Sequence, residues 1–322
     1  MAYPISVTPY SGNPASPAYS GVFIPTLWSS KVVEKFYDAT VIAAIANTDY
    51  AGEIKNQGDK VTIRTKPTLA INDYEATQAI TVERPSSSVV ELNIDKGKYF
   101  AAVLDDVMEV QADLNLLSMW ADDASEQLKI KIDHDVLRTI AGGVDAANAG
   151  AAAGAISGNI DLGVTGSPLT LVPRGAAVGE VEVIDAILRM GQCLDEQNIP
   201  ETGRWIVLPA WACSMIKRSE LRDASLTGDG ATMLRNGRLG MIDRFTVYAS
   251  NLLPNGVADS LAAGEFNIFA GHSHGLTFAS QMTKMETLRA ETTFGTVMRG
   301  LQVYGSQVID GTAIVSSIVK AA

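Results

Sequence analysis

The chain has 322 residues, 47% of them apolar, which is enough to bury a sizeable core and excludes a disordered tail or a miniprotein. Its formal charge of −11 at pH 7 excludes a domain-wide basic face for gripping phosphate backbones, so contact with nucleic acid is expected to be local and non-specific. Cys193 and Cys213 have neither metal-ligand spacing nor a disulfide framework around them, and they read as small buried hydrophobes made in a reducing compartment.

Residues 1–30 carry no charged side chain, but Pro4, Pro9, Pro14, Pro17 and Pro25 interrupt them and no basic start or continuous apolar run marks a signal peptide. No stretch is long and apolar enough to span a bilayer, and synthesis in the cytoplasm is expected. The first 24 residues mix Pro, Ser, Gly and Tyr, the composition of an extended arm that gains order by lying on something else. Pro25 suits a first helical turn, and Trp28, Val32, Phe36, Ala39 and Ala43 recur at spacings of three and four. A helix is expected at about 26–46, within a segment 25–50.

From Ala51 to Phe100 the period changes to two. Val61 and Ile63 alternate with Thr62 and Arg64, Ile80 and Val82 flank Thr81, and Val90, Leu92 and Ile94 alternate with Glu91 and Asn93. This pattern predicts a long antiparallel ribbon with turns around 70–78 and 84–88. A lone two-stranded ribbon is marginally stable in water, so it is expected to pack on a neighbouring chain.

After Leu104 the period is helical again. Val110, Leu114, Leu117, Ala121, Ala124, Leu128, Ile132 and Val136 continue a stripe to Gly142 and Gly143. A helix from Leu114 to Ala141 would be roughly 42 Å long, a spine rather than an ordinary globular helix. Residues 142–158 hold twelve Gly or Ala out of seventeen and are expected to form a flexible boundary or surface loop. Beyond them the pattern predicts a helix over 178–197, a strand over 205–208, a short helix after Pro209 and a Gly-rich stretch over 225–240. Strands follow at 245–248, 265–269, 276–279, 285–289 and 301–308, which makes this half mixed α+β.

The sharpest enzyme-like signal is Gly271-His272-Ser273-His274-Gly275, which matches the G-x-S-x-G nucleophile elbow of serine esterases. That elbow needs a strand before the serine, a helix after it and a catalytic histidine later in the chain. Leu276-Thr277-Phe278-Ala279 reads instead as a second strand, no histidine follows His274, and His134 lies far upstream, so a hairpin turn is expected. His272 and His274 lack the third and fourth ligands of a zinc site. His134, between Asp133 and Asp135, reads as part of a polar helix face. The pairs Asp105-Asp106 and Asp122-Asp123 diverge on a helix rather than converging for acid–base work, and they read as solvated faces. Thr227-Gly228-Asp229-Gly230 lacks the Lys and Ser/Thr of a phosphate-binding loop.

The order of arm, helix, long ribbon, spine helix and mixed domain with a returning strand resembles the Hong Kong 97-type capsid fold of tailed bacteriophages. Asp133 with Val136, Leu137 and Ile140 resembles the end of that family's spine helix. The stretches 204–211, 234–237 and 245–254 are similar to the axial domain of podophage-like coat proteins, and 285–289 with 299–305 resemble the strands returning to the peripheral domain. The resemblance implies an N-terminal arm (1–24), an N-terminal helix (25–50) and an extended β-ribbon loop (51–103). It further implies a peripheral domain (104–142 and 283–308) and an axial domain (143–282 and 309–322). It implies a structural major capsid protein, not an enzyme, that self-assembles into pentamers and hexamers of an icosahedral head enclosing double-stranded DNA, within the virion. A separate scaffolding protein and a portal are the implied partners. Lys55, Lys60 and Lys66 lie on the ribbon, yet nothing selects one for a crosslink to a neighbour. No catalytic, cofactor-binding or metal residue is assigned. An encapsulin-like compartment shares the expected fold, and a serine hydrolase using Ser273 is the rival from another class.

Overall fold

In a computed structural model, the described residues are 37–49 without 39, 60–107 with short omissions between 65 and 88, 116–219, and 240–322 without 292. The expected arm, most of the N-terminal helix and the Gly-rich stretch before Gly240 lie outside them. The described part of the helix expected at 26–46 is not continuous. Residues 37, 38, 40 and 41 are not helical, and only one turn, α1 (Ile42–Ile45), forms.

The alternation at 61–63 and 90–94 does make a ribbon. Strand β1 (Lys60–Arg64) pairs antiparallel with β2 (Val89–Asn93), placing Val61 opposite Leu92 and Ile63 opposite Val90. At its base Ile63, Leu92 and Ile94 pack with Ala279, forming a small core of their own. The strand expected at Val82 is not formed, for this residue lies outside any strand with its side chain in solvent.

Strand β3 (Lys96–Asp105) leaves the ribbon. It pairs with β11 (Gly295–Val308), which pairs on its other side with β10 (Leu276–Arg289), giving a three-stranded antiparallel sheet in the order β10-β11-β3. The two short strands expected at 276–279 and 285–289 are one, continued through a register shift between Ser280 and Met282. Asp105, expected on a helix, ends β3, and Asp106 receives both guanidinium nitrogens of Arg289 instead of facing solvent alone.

The spine helix is present as α2 (Leu116–Ile140), 25 residues long. Lys98 of β3 and the hydroxyl of Tyr304 of β11 both reach Asp135 of α2, so one face of the three-stranded sheet lies against this helix. The polar positions 133–135 are engaged by other parts of the chain. Asp133 is buried, and its Oδ2 accepts the backbone N–H groups of Val41 and Ile42 at 2.5 and 3.4 Å. Burial raises its pKa, an effect those two bonds oppose.

The remaining elements build a seven-stranded sheet in the order β5-β4-β12-β9-β6-β8-β7. Its strands are β4 (Leu169–Val172), β5 (Glu180–Glu182), β6 (Arg204–Leu208), β7 (Met241–Ile242), β8 (Phe245–Ala249), β9 (Glu265–His272) and β12 (Ile314–Ala321). Helices α3 (Val183–Glu196) and α4 (Ala210–Arg218) contribute Ile187, Met190 and Ile216 to its core, where they join Phe245, Phe269 and Val315. Cys193 and Cys213 lie buried on these helices as expected, and burial pushes the Cys193 thiol up to about 12.

The Gly/Ala-rich segment is not a free linker. Asn148 is buried and donates Nδ2 to the carbonyls of Thr312 and Ile314 at 2.7 and 3.0 Å. Glu196 accepts the N–H groups of Ile156 and Ser157 at 2.9 and 3.0 Å, which holds its pKa down to about 2. Small residues serve here because the loop passes close over the sheet: at Gly163, with φ of 77°, a Cβ would stand 2.9 Å from the Leu169 nitrogen.

Candidate assembly surfaces

The catalytic-looking motif lies at a crossing between sheets. Gly271 and His272 end β9, residues 273–275 turn, and β10 begins at Leu276. The expected hairpin is thus only half right: the turn is there, closed by Gly275 N–H donating to the His272 carbonyl at 3.0 Å, but β9 and β10 belong to different sheets and do not pair. The serine is succeeded by a strand, not by the helix of a nucleophile elbow. Both glycines are explained by close approach, since a Cβ at Gly271 would lie 2.7 Å from the Ala313 carbonyl and one at Gly275 would lie 2.8 Å from Ile314 Cγ1.

His272 Nδ1 accepts the N–H of His274 at 3.1 Å, and burial holds its pKa below the usual histidine range. His134 faces Asp259 on another loop, at 3.9 Å. Among the described residues no three His, Cys, Asp or Glu side chains converge to hold a metal ion. Asp123 accepts the Tyr37 hydroxyl at 2.8 Å, so the pair at 122–123 is partly engaged rather than simply solvated. The segment Thr227–Gly230 lies outside the described residues.

Surfaces, rather than pockets, carry the unusual features. The segment between β1 and β2 exposes Leu69, Ile71 at 92% and Val82 at 88%. On the three-stranded sheet, the face turned away from α2 exposes every second residue of β3, with Tyr99 at 80% exposure and Val103 half in water. Leu301 and Leu288 lie across from these on β11 and β10, and Phe294 stands exposed in the turn between those strands. Within this face a groove of about 560 Å³ is lined by Tyr99, Ala101, Lys284, Glu286, Arg299 and Leu301. Arg299 donates twice to Glu286, at 3.0 and 2.7 Å, and Lys284 pairs with the same carboxylate, whose pKa these bonds lower. Isolated exposed apolar side chains are ordinary; a run of them along one sheet face and one ribbon marks a contact surface. Fully covering each would stabilise an interface by about 1.5–3 kcal/mol.

Sequence reasoning missed several polar residues that organise the fold. Arg204 is 1% exposed and donates to the carbonyls of Pro200 and Ile199 at 2.9 and 2.6 Å and to Asp195 at 2.7 Å. Burial would raise the Asp195 pKa, but hydrogen bonds from Arg204 and Arg244 win and lower it. Glu265, also buried, accepts the N–H groups of Gly166 and Ala262, each at 2.9 Å. A signal existed for Asp133, which stands three residues after Ile130 and four before Leu137, in the middle of the helix's apolar stripe. No comparable pattern marks Arg204 or Glu265.

A family model described as phage capsid protein matches residues 87–317. No curated protein sequence matches the chain. Among solved structures, one from Mycobacterium phage Che8 is similar with a TM-score of 0.72 at 25% identity, covering 94% of this chain and 98% of the other. The capsid structure of cyanophage P-SCSP1u gives 0.70 at 18% identity, over 94% and 93% of the two chains. The mature capsid of bacteriophage PhiM1 gives 0.69 at 12% identity, over 100% and 99%.

Proposed function

Since the chain belongs to the phage capsid protein family, whose model spans residues 87–317, we propose that it works as the repeating subunit of an icosahedral head, closing into pentamers and hexamers around double-stranded DNA. It is a structural capsid protein, and its role is mechanical rather than catalytic.

The observation that carries the shell reading is the apolar, solvent-facing surface of the ribbon segment and of the three-stranded sheet. A side chain such as Ile71 gains nothing within its own subunit, and burying it needs another chain. Copies of one chain offering the same extension and the same sheet face build repeated interfaces, which close into a shell when the rotation between copies permits. On this reading residues 51–103 are the loop that reaches a neighbour. Residues 104–142 and 283–308 are the peripheral domain, 143–282 and 309–322 the axial domain, and 1–24 an arm laid on an adjacent copy. The division is supported by the three-stranded sheet packing on α2 and by the separate seven-stranded sheet after residue 143, although β10 starts at Leu276, a few residues before the proposed boundary. A scaffolding protein guides assembly in the host cytoplasm, a portal occupies one vertex, and packaged DNA contacts the inside without sequence preference, as the chain's net charge of −11 supports.

Negative-stain microscopy of the expressed protein, with and without its scaffold, tests the reading. Closed shells of uniform diameter are the expected result, and soluble monomers under both conditions would overturn it. Deleting residues 1–24 should weaken assembly while leaving subunit folding intact; normal shells from that variant would remove the arm from the mechanism.

A further inference from the structure

Asp133, His134 and Asp135 are consecutive on α2, so their side chains leave the helix about 100° apart, and each meets a different part of the molecule. Asp133 holds the backbone of Val41 and Ile42. Asp135 holds Lys98 and Tyr304 of the three-stranded sheet. His134, with Arg138 one turn further on, faces the loop 254–261 that leads into β9 of the seven-stranded sheet. There Arg138 donates Nε to Asp259 Oδ1 at 2.7 Å and Nη2 to the Ala258 carbonyl at 3.2 Å, and His134 Nε2 stands 3.9 Å from Asp259 Oδ2.

These ties differ in permanence. Asp133 and Tyr304 are buried, and parting them would strand polar groups away from water. At the third tie the Arg138 side chain is 46% exposed and the Asp259 side chain 6% exposed, so the guanidinium alone lies at the solvent boundary. Its loop keeps its own shape: Leu261 N–H donates to the Gly256 carbonyl, Gly256 N–H to the Glu265 carbonyl, and Asn255 N–H to Asp259 Oδ2. Gly256 and Ser260 supply the left-handed turns, with φ of 61° and 64°. The loop therefore remains folded when Arg138 lets go: the guanidinium passes into water, and the Asp259 carboxylate still accepts the Asn255 N–H.

We propose that the Arg138–Asp259 contact, with His134 beside it, is a releasable clasp between the long helix and the seven-stranded sheet, and that opening it lets one sequence take up more than one angle between its two sheets. The second half rests on the shell reading above, in which copies at fivefold and sixfold positions meet their neighbours at different angles.

The test uses the full chain with Arg138→Ala and Asp259→Asn, singly and together, followed by hydrogen–deuterium exchange of the soluble subunit. Amides of 254–261 and of the last two turns of α2 should exchange about five- to thirtyfold faster in each single variant, with the double variant no faster than the singles. Arg138→Lys, which keeps the charge and loses the two-pronged hold, should fall between, and it reads the same segment should a truncated variant fail to fold. Shells of the variants should spread over several diameters where the parent gives one. Unchanged exchange in Arg138→Ala and Arg138→Lys alike would refute the clasp. Faster exchange with shells of parental size would leave a purely local tie and refute the change of angle. Absence of shells from the parent itself would strike the shell reading and the angle with it, while the exchange rates would still judge the clasp.

Discussion

Strand β6 and strand β3 teach opposite lessons about the same chain. All five residues of β6 are buried, and the strand is flanked by β9 and β8, as befits the centre of a finished core. Strand β3 has ten residues and exposes every second one, including Tyr99 and Val103, and it lies at a sheet edge, paired with β11 alone. Pairing and burial both separate them: β6 is held on both sides and buried, whereas β3 is an edge strand with every second side chain in water. The seven-stranded sheet buries its central strands within the subunit, whereas the three-stranded sheet and the ribbon leave apolar faces in water, which the proposed shell would cover with another copy.

The largest effect that could break this contrast lies in the core. Phe269→Ala, at a fully buried position of β9, should cost about 3–5 kcal/mol in urea unfolding of the isolated subunit. A loss under about 1 kcal/mol, far below that range, would mean that the seven-stranded sheet is not self-supporting. Next comes the junction: Asp133→Ala leaves the N–H groups of Val41 and Ile42 unpaired in a buried place and should cost about 1–3 kcal/mol. Asp133→Asn retains an acceptor and should cost less, which the same measurement checks.

The third effect is local and pH-dependent. The folded pKa of Glu196, about 2, lies below its ordinary 4.5, so the support it gives to 156–157 is complete above about pH 4.5 and is lost as pH falls toward 2. Exchange at the Ile156 and Ser157 amides, followed by NMR, should accelerate over that interval relative to neighbouring amides, and Glu196→Gln should remove the pH dependence. The smallest effect on the subunit sharpens the contrast most. Ile71→Ser and Val82→Ser should shift subunit stability by no more than about 0.5 kcal/mol, yet lower the yield of closed shells measured by sedimentation. Equal shell yields would show that the ribbon's apolar side chains do not bind a neighbour.

Periodicity in the sequence makes much of this legible. The alternation at 61–63 and 90–92 placed the ribbon strands, and the stripe ending at Gly142 placed the end of α2 within one residue. The misses have a common cause. Strand β4 has only four residues, too few to establish a period, and β12 buries its first four residues together, so neither carries a period to read. The Gly/Ala-rich segment looked loose because its composition says nothing of Asn148 and Glu196, whose hydrogen bonds to distant parts of the chain pin it. The turn at 271–275 was legible, but which sheet each flanking strand joins depends on pairing with 295–320, information that no local window contains. As for the contact surface, exposure of Tyr99 or Leu301 depends on which face α2 covers, a tertiary fact.

The place of β12 has a consequence for timing. It lies inside the seven-stranded sheet, parallel to β4 on one side and antiparallel to β9 on the other. During synthesis both of those strands must wait with an open edge until residues 314–321 have left the ribosome. A polypeptide interrupted upstream of Ile314 lacks the piece that joins the two parts of its main sheet, so it has no finished body to insert into a growing lattice.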